Sequence, residues 1–162
     1  MQFKEVKTAS DIEKSAALAK EIWTEYYTDL LPKGQAAYMI EKFQSASAMA
    51  KQIKEGHNYY LILQENQKIG YLDFIMKGDE CFISKIYLLK NARGKGLGKE
   101  ALNFIESKAK VHRASKLGLT VNKYNSQAIN AYLRADFQNV GPVQFDIGNG
   151  YIMDDYKMEK QL

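Results

Sequence analysis

Cysteine and proline are scarce in this sequence. Its 162 residues include one cysteine, Cys81, two prolines and eleven glycines. A single cysteine excludes an internal disulfide, and the low proline and glycine content argues against a disordered chain. With 46% apolar residues, the chain is long enough to bury a substantial core. We therefore expect residues 1–162 to form a single domain.

Long apolar runs and a strong excess of one charge are also lacking. No run reaches the length of a membrane span, and the amino-terminal residues lack the basic and apolar segments of a secretory signal. These absences predict a cytoplasmic protein without a membrane partner. The net charge of +4 suits an anionic small molecule but falls short of a nucleic-acid-binding surface, so we expect no nucleic-acid partner.

Hydrophobic periodicity and turn residues predict both helices and strands. A capping box over residues 10–13 is expected to open the first helix, which ends near residues 27–31. Further helices are expected over residues 36–43, 46–54, from 98 through 109, and 126–135. Strands are expected over residues 2–7, 58–64, 68–77, 81–89, 117–121, 140–146 and 151–157.

The most informative segment is the glycine-rich loop, residues 93–99, which reads Arg-Gly-Lys-Gly-Leu-Gly-Lys. It follows an apolar strand pattern and precedes a helical one. Glycines at the start of a helix leave backbone N–H groups bare, and together with the helix dipole these favour an anion such as a pyrophosphate. The glycine-rich loop therefore predicts a nucleotide-bearing cofactor.

Two other glycine motifs do not fit this loop. A Walker A motif would need glycine in place of Arg93 and a serine or threonine in place of Glu100, so the hydroxyl that binds magnesium is missing. A dinucleotide-binding fingerprint would need glycine in place of Lys99 and an acidic residue after the next strand. ATP hydrolysis and a Rossmann-type site are therefore not expected.

The remaining pattern, Arg-x-x-Gly-x-Gly after a strand, resembles the signature of the GNAT acyltransferases. A second segment, residues 125–137, reads Asn-Ser-Gln-Ala-Ile-Asn-Ala-Tyr-Leu-Arg-Ala-Asp-Phe and resembles the family's Asn-x-x-Ala-x-x-x-Tyr-x-x-x-Gly-Phe segment. The two motifs follow each other in the family's order. Asp136 stands where the family has glycine, and we expect this change to affect the helix end rather than the chemistry, because aspartate tolerates left-handed backbone.

This resemblance implies an α/β (α+β) fold of the acyl-CoA N-acyltransferase type, with one mixed, mostly antiparallel sheet and helices on both faces. It also implies an N-acetyltransferase that moves an acetyl group from acetyl-CoA directly to a primary amine of a small molecule, such as a polyamine, or of a protein or peptide. No metal is expected. A homodimer is compatible with the family. The segment 148–156 resembles bacterial acyltransferases related to polyamine acetylation.

The resemblance also assigns roles to individual residues. Tyr132 matches the tyrosine that gives a proton or hydrogen bond to the departing sulfur, since a phenol stays protonated at neutral pH. Asn125 is expected to contact the pantetheine arm, and Arg134 the nucleotide phosphates. The main chain expected to pair with the pantetheine amides is that of Ile86, Tyr87 and Leu88. The residues expected to bind the pyrophosphate are Arg93, Gly94, Lys95, Gly96, Leu97, Gly98 and Lys99.

The general base is not identified by the sequence. Family members often have a glutamate early on the strand before the glycine-rich loop, but Phe82 occupies that position here. Glu80, Asp73 and a water chain ending at Ser84 are alternatives, and a substrate amine with a lowered pKa would need little help. Cys81 could be a nucleophile only in a different mechanism, with His57 or His112 as its partner.

Other interpretations stay open. The missing glutamate is compatible with a non-catalytic coenzyme A-binding sensor or regulatory protein, and residues 90–99 with a basic nucleic-acid patch. A cationic amine would suit the aromatic residues Trp23, Tyr26 and Tyr27, which share a helix face, together with Asp154–Asp155 on the last strand. Ordinary core packing and solvent-facing carboxylates explain the same residues without a substrate.

Overall fold

Five α-helices and seven β-strands lie along residues 1–162, all of which the computed structural model describes. The helices are α1 (Ala9–Tyr27), α2 (Gln35–Gln44), α3 (Ala46–Lys54), α4 (Leu97–Val111) and α5 (Ser126–Arg134). The strands are β1 (Gln2–Glu5), β2 (Asn58–Gln64), β3 (Gln67–Lys77), β4 (Glu80–Leu88), β5 (Lys116–Asn122), β6 (Gln138–Gly148) and β7 (Tyr151–Gln161). None of the helices combines the length and apolar character needed to cross a bilayer.

The strands form one sheet in the order β1-β2-β3-β4-β5-β7-β6. Strands β4 and β5 run parallel, whereas the pairs β1–β2, β2–β3, β5–β7 and β6–β7 are antiparallel. The mixed, mostly antiparallel sheet predicted from the sequence is therefore confirmed. The chain divides into two compact units, and β4 contributes to both.

The first unit comprises Met1–Ile75 and Lys85–Asn103. Its core packs apolar residues of α1 and α3 against β1, β2 and β3. Burial of these side chains, at about 25 cal/mol per Å², is the main force that stabilises the unit. The fully or nearly buried members of this core are Val6, Leu18, Ala19, Ile22, Met49, Tyr59, Leu61 and Tyr71.

Helix α1 begins two residues earlier than the predicted capping box. Its N-cap is Thr8, whose Oγ1 accepts a hydrogen bond from the backbone N–H of Asp11 at 3.1 Å. Ser10 lies inside the helix, so the capping box that the sequence predicted there is wrong. A threonine hydroxyl at Thr8 serves the same purpose, because it satisfies one of the unpaired N–H groups of the first turn.

The second unit comprises Met76–Ser84 and Phe104–Leu162. Its longest ladder is the hairpin of β6 and β7, joined by Asn149 and Gly150 with φ of 53° and 76°. Two positive φ angles are typical of a type I′ turn, which matches the twist of the paired strands. Strand β7 lies between β5 and β6, although it is the last of the three in the sequence.

Candidate active site

The glycine-rich loop turns into α4 through two left-handed glycines. Gly94 has a φ of 73° and Gly96 a φ of 79°. The N–H groups of residues 94–98 have no hydrogen-bond partner within the chain, whereas those of Lys99 and Glu100 both donate to the carbonyl of Gly96, at 3.0 and 3.2 Å. A Cβ placed on either left-handed glycine would meet no atom within 4 Å. The loop therefore combines unpaired donors, open space and the N-terminus of a helix, which suits an anion.

Arg93 fixes the start of this loop to the end of β4. Its Nε donates to the carbonyl of Leu88 at 2.9 Å, and its guanidinium lies 4.7 Å from the ring centroid of Tyr26. Lys95 and Lys99 are exposed. Arg93 is thus held by contacts within the first unit, and the two lysines are the exposed positive charges of the loop.

Strand β3 approaches β4 unusually closely beside residues 86–88. At Gly70 a Cβ would overlap the carbonyl oxygen of Tyr87, and it would also lie 2.7 Å from a side-chain carbon of Leu88. Only glycine fits without a shift of the main chain. The position of Gly70 therefore fixes the strand segment to which the sequence assigns the pantetheine arm.

In the second unit, Tyr132 lies in the last turn of α5, which ends in a Schellman motif. The N–H of Asp136 donates to the carbonyl of Leu133 at 3.2 Å, and the N–H of Phe137 donates to that of Tyr132 at 3.1 Å. Asp136 has a φ of 68°, as its position in the motif predicts. The rings of Tyr132 and Phe137 meet edge to face at 5.6 Å, which is the hydrophobic contact that accompanies this motif.

The hydroxyl of Tyr132 makes no hydrogen bond within the protein. Burial raises the pKa of Tyr132 to about 12, so the phenol is protonated throughout the physiological range. A phenol in this state can donate a proton or a hydrogen bond but cannot act as a base near neutral pH.

Asn125 and Arg134 lie at opposite ends of α5. Asn125 is buried and caps the helix, since its Oδ1 accepts from the N–H of Ala128 at 3.2 Å. Arg134 is exposed in the last turn, where a cation interacts favourably with the helix dipole. These positions give both residues a structural role, and their cofactor contacts stay predictions.

Two of the candidates for the general base or nucleophile, Glu80 and Cys81, lie in the second unit, in surroundings that do not favour these roles. Glu80 lies 3.7 Å from both Lys116 and Lys157, within a surface cluster of charges. Cys81 is fully buried, and burial raises the pKa of its thiol to about 11. Because the thiolate is the reactive form, a buried and protonated Cys81 is a poor nucleophile. Phe82, in the glutamate position, has Lys77 Nζ 4.2 Å from its ring centroid.

The aromatic residues of α1 pack against β4 rather than standing free. Trp23 is 3% exposed and stacks on Tyr27 with centroids 4.2 Å apart, and both rings meet Tyr87 edge to face. On β7, Asp154 pairs with Lys123 at 2.7 Å, whereas Asp155 is buried. Successive residues of a strand point to opposite faces of the sheet, which accounts for this difference in exposure.

Sequence reasoning missed one buried polar cluster in the first unit. It consists of His57, Asp73 and Lys85, joined through one carboxylate oxygen. The available signal was a charged residue in the middle of each of two apolar strand patterns, β3 and β4. No group of three or more histidine, cysteine, aspartate or glutamate side chains is arranged to hold a metal ion.

The sequence matches the model of the acetyltransferase (GNAT) family over residues 16–137. Since the match covers most of the chain, the protein belongs to the GNAT family and is an acetyltransferase of the class that uses acetyl-CoA. The two sequence motifs identified the family correctly. No curated protein matches the sequence significantly.

Solved structures support the fold. A PaiA N-acetyltransferase from Thermoplasma acidophilum, in complex with coenzyme A, aligns over 100% of both chains with a TM-score of 0.81 and 18% identity. A GCN5-related N-acetyltransferase from Rhodopseudomonas palustris covers 99% of this chain and 95% of its own, with a TM-score of 0.82 and 15% identity. The ribosomal-protein-S18-alanine N-acetyltransferase from Escherichia coli covers 99% and 92%, with a TM-score of 0.74 and 15% identity. These identities establish a shared fold and leave the acceptor open.

Proposed function

We propose that the protein transfers an acetyl group from acetyl-CoA directly to a primary amine, without an acyl-enzyme intermediate. The observation that carries this proposal is the glycine-rich loop with its unpaired N–H groups at the start of α4. Within a family of acetyltransferases, such a loop is suited to the diphosphate of coenzyme A. A buried, protonated Cys81 argues against a covalent intermediate on sulfur.

We assign the following roles on this basis. The N–H groups of residues 94–98 bind the diphosphate, with Lys95 and Lys99 adding positive charge. The main chain of residues 86–88 pairs with the pantetheine amides as an added strand would, and one of its N–H groups polarises the thioester carbonyl. Tyr132 protonates the departing thiolate. Asn125 and Arg134 contribute contacts to the pantetheine arm and the phosphates.

For the acceptor we propose a small cationic primary amine. The half-buried aromatic rings of Tyr26 and Tyr27 are the kind of group that attracts a cation, and the Tyr26 ring already faces the guanidinium of Arg93. The similarity to the S18-alanine N-acetyltransferase makes a protein amine the second class to test.

The proposal is tested by following thiol release from acetyl-CoA with a panel of primary amines, including di- and polyamines, and with a peptide bearing a free amino terminus. We expect turnover with at least one small amine. Binding of coenzyme A without acetylation of any acceptor would contradict the proposal and favour a coenzyme A-binding sensor.

The role of Tyr132 is tested with Tyr132→Phe. This change removes the proton donor and keeps the ring that packs on Phe137, so we expect kcat to fall by about 10²-fold or more while coenzyme A binding persists. The matched control is Tyr124→Phe, because Tyr124 is 69% exposed and lies just before α5. An unaltered rate in Tyr132→Phe would show that the thiolate is protonated by another group.

A further inference from the structure

The first unit contains a buried ion pair with a histidine attached to it. Asp73 on β3 is fully buried, and its Oδ2 lies 3.1 Å from Nζ of Lys85 on β4 and 2.7 Å from Nδ1 of His57. The side chain of Lys85 is 5% exposed and that of His57 is 18% exposed. His57 is therefore the only one of the three that presents appreciable surface to solvent.

The end of α3 holds His57 in this position. Gly56, with a φ of 102°, donates to the carbonyl of Ile53 at 3.1 Å, and His57 N–H donates to the carbonyl of Gln52 at 3.0 Å. These two bonds form a Schellman motif with His57 at its last position. The backbone of His57 is thus fixed by the helix end, and its ring by Asp73.

The side chain of Gln52 ties the same helix to the ion pair. Its Oε1 accepts from Nζ of Lys85 at 2.9 Å and also from the hydroxyl of Tyr59. Nζ of Lys85 lies 5.0 Å from the ring centroid of Tyr59. The lysine therefore has a carboxylate, an amide oxygen and an aromatic face as partners, so its position is closely determined.

Stability alone gives a weak reason for such a cluster. Taking two charges out of water costs several kcal/mol, and apolar side chains of similar size in their place are often neutral or stabilising. Burial lowers the pKa of Lys85, against the opposing influence of Asp73. The Oδ1 atom of Asp73 is buried without a partner, which adds a further cost. A cluster that is costly to bury and attached to one partly exposed imidazole fits a chemical role better than a packing role.

The hydrogen bond to Asp73 sets the tautomer of His57. A carboxylate can only accept, so the ring donates its proton from Nδ1. The neutral ring then has its lone pair on Nε2, at the end of the ring that points away from Asp73. The charge of Lys85 already balances that of Asp73, so the carboxylate orients the ring without requiring it to be a cation.

We propose that His57 is the general base of the acetyl transfer, with Asp73 and Lys85 as positioning residues; this inference rests on the function proposed above. Nε2 takes one proton from the ammonium form of the acceptor and later releases it to water. The nitrogen lone pair then forms the C–N bond at the thioester carbonyl, and the C–S bond breaks. The thiolate receives a proton from Tyr132. The second proton lost by the nitrogen returns to the Tyr132 hydroxyl through solvent. Since the first proton goes to water, each turnover releases one net proton.

The other base candidates in the first unit fit less well. Asp73 has no exposed surface with which to touch a substrate. The hydroxyl of Tyr59 is bonded to Gln52, and burial raises its pKa. Lys85 directly precedes residues 86–88, to which the pantetheine arm is assigned. One member of the cluster is therefore adjacent along β4 to the proposed cofactor segment.

The experiment compares kcat and KM of wild type, His57→Asn and His57→Gln between pH 5.5 and 9, with the best amine from the panel. Asparagine can keep the hydrogen bond to Asp73 and glutamine can reach the Nε2 position, but neither is a base. We expect kcat at pH 7 to fall about 10²-fold in both variants and the acidic limb of the wild-type profile to disappear. The groups that face His57 are Asp73, Lys85 and Tyr59, and all three remain in these variants.

The matched control is His112→Asn, because the chain has two histidines and His112 is exposed after α4. We expect its kinetics to be unchanged. Coenzyme A binding, measured by calorimetry, should be the same in all four proteins. Added imidazole should restore part of the activity of His57→Ala and none of that of Tyr132→Phe.

Two results would overturn the inference, and they are distinguishable. A wild-type enzyme that acetylates the amine while either His57 variant keeps its rate and pH profile would refute the role of His57 alone. A wild-type protein that acetylates no amine would refute the proposed function and this inference together.

Discussion

The two left-handed glycines of the glycine-rich loop adopt a positive φ that a residue with a Cβ would adopt only at a cost. An L residue with a side chain adopts a φ near +75° only at a cost of about 1–2 kcal/mol. At Gly94 and Gly96 this conformation keeps the main-chain N–H groups out of the helix ladder, so they stay available to an anion. The glycines matter for the shape of the loop more than for the space around them, since that space is open.

Gly96→Ala is expected to weaken coenzyme A binding at least tenfold, because relaxation of φ turns N–H groups away from the diphosphate. Gly78→Ala is the matched control, since Gly78 also has a positive φ, 64°, and equally open surroundings, but lies in the β3–β4 turn. Both changes should cost about 1 kcal/mol of stability. Isothermal titration calorimetry compares the affinities of the two variants for coenzyme A. Equal affinities would show that the loop does not hold the diphosphate.

Individual residues differ in how far the sequence could predict them. Tyr132 and the loop glycines lie in short motifs whose spacing is recognisable without any structure. In the cluster of His57, Asp73 and Lys85, the histidine directly precedes β2, and the other two residues lie on β3 and β4. No local sequence pattern predicts how these strands pair. The sequence analysis named Asp73 only as an alternative base and His57 only as a partner for Cys81, because only the sheet register brings the two residues together.

At the scale of elements, the type and order of the helices and strands follow from periodicity and turn residues. The turn at Asn149 and Gly150 carries an Asn-Gly pair, which is the strongest short signal for a type I′ hairpin. The first and last residues of the helices and strands were less predictable. Strands β6 and β7 extend well beyond their predicted limits, because cross-strand pairing continues through polar residues that show no alternation. The N-cap of α1 was misplaced, since Thr8 and Ser10 are both suitable caps.

Strand β7 also provides a test of pH-dependent stability. Burial raises the pKa of Asp155 from an ordinary value of 3.8 to about 6. The folded state therefore holds this proton more tightly than the unfolded state does. Ionisation of Asp155 lowers the free energy of unfolding as the pH rises from about 4 to 6, and above pH 6 the whole reduction remains. Asp155→Asn removes the charge, and we expect it to stabilise the protein at pH 8 by up to about 3 kcal/mol and much less at pH 4.

Urea unfolding of the variant and the wild type at the two pH values measures this difference. The control is Asp154→Asn on the same strand, because the hydrogen bond from Lys123 lowers the pKa of Asp154. The ionised Asp154 is favoured in the folded state, so its removal should not stabilise the protein at pH 8. Equal gains from Asp155→Asn at pH 4 and pH 8 would show that burial of the charge is not the cause.

At the scale of the whole molecule, the family match runs through segments of both compact units. Residues 16–137 include most of the first unit and more than half of the second. We propose that residues 1–162 act as one GNAT domain. The sequence favours this proposal because its two motifs lie one in each unit. It could not predict where β4 divides between the units, which depends on packing that no motif encodes.

Coenzyme A should stabilise the whole chain against heat. A ligand that binds only the folded state at 100 times its Kd adds about 2.7 kcal/mol, which for a chain of this size raises Tm by about 5–10 °C. Differential scanning fluorimetry with coenzyme A and with pantetheine, which lacks the nucleotide and the diphosphate, measures the shift. Pantetheine should give a much smaller shift at the same concentration. No shift at saturating coenzyme A would contradict the cofactor assignment.

The position of β7 between two strands that precede it in the sequence has a consequence for biosynthesis. Until residues 151–161 have been made, β5 and β6 each lack their neighbour and expose open hydrogen-bonding edges to the cell. A nascent chain halted before that point cannot complete its second unit, whereas the strands β1 to β3 are already present. Premature stop codons that remove residues 151–161 should therefore produce polypeptides that chaperones retain or proteases degrade.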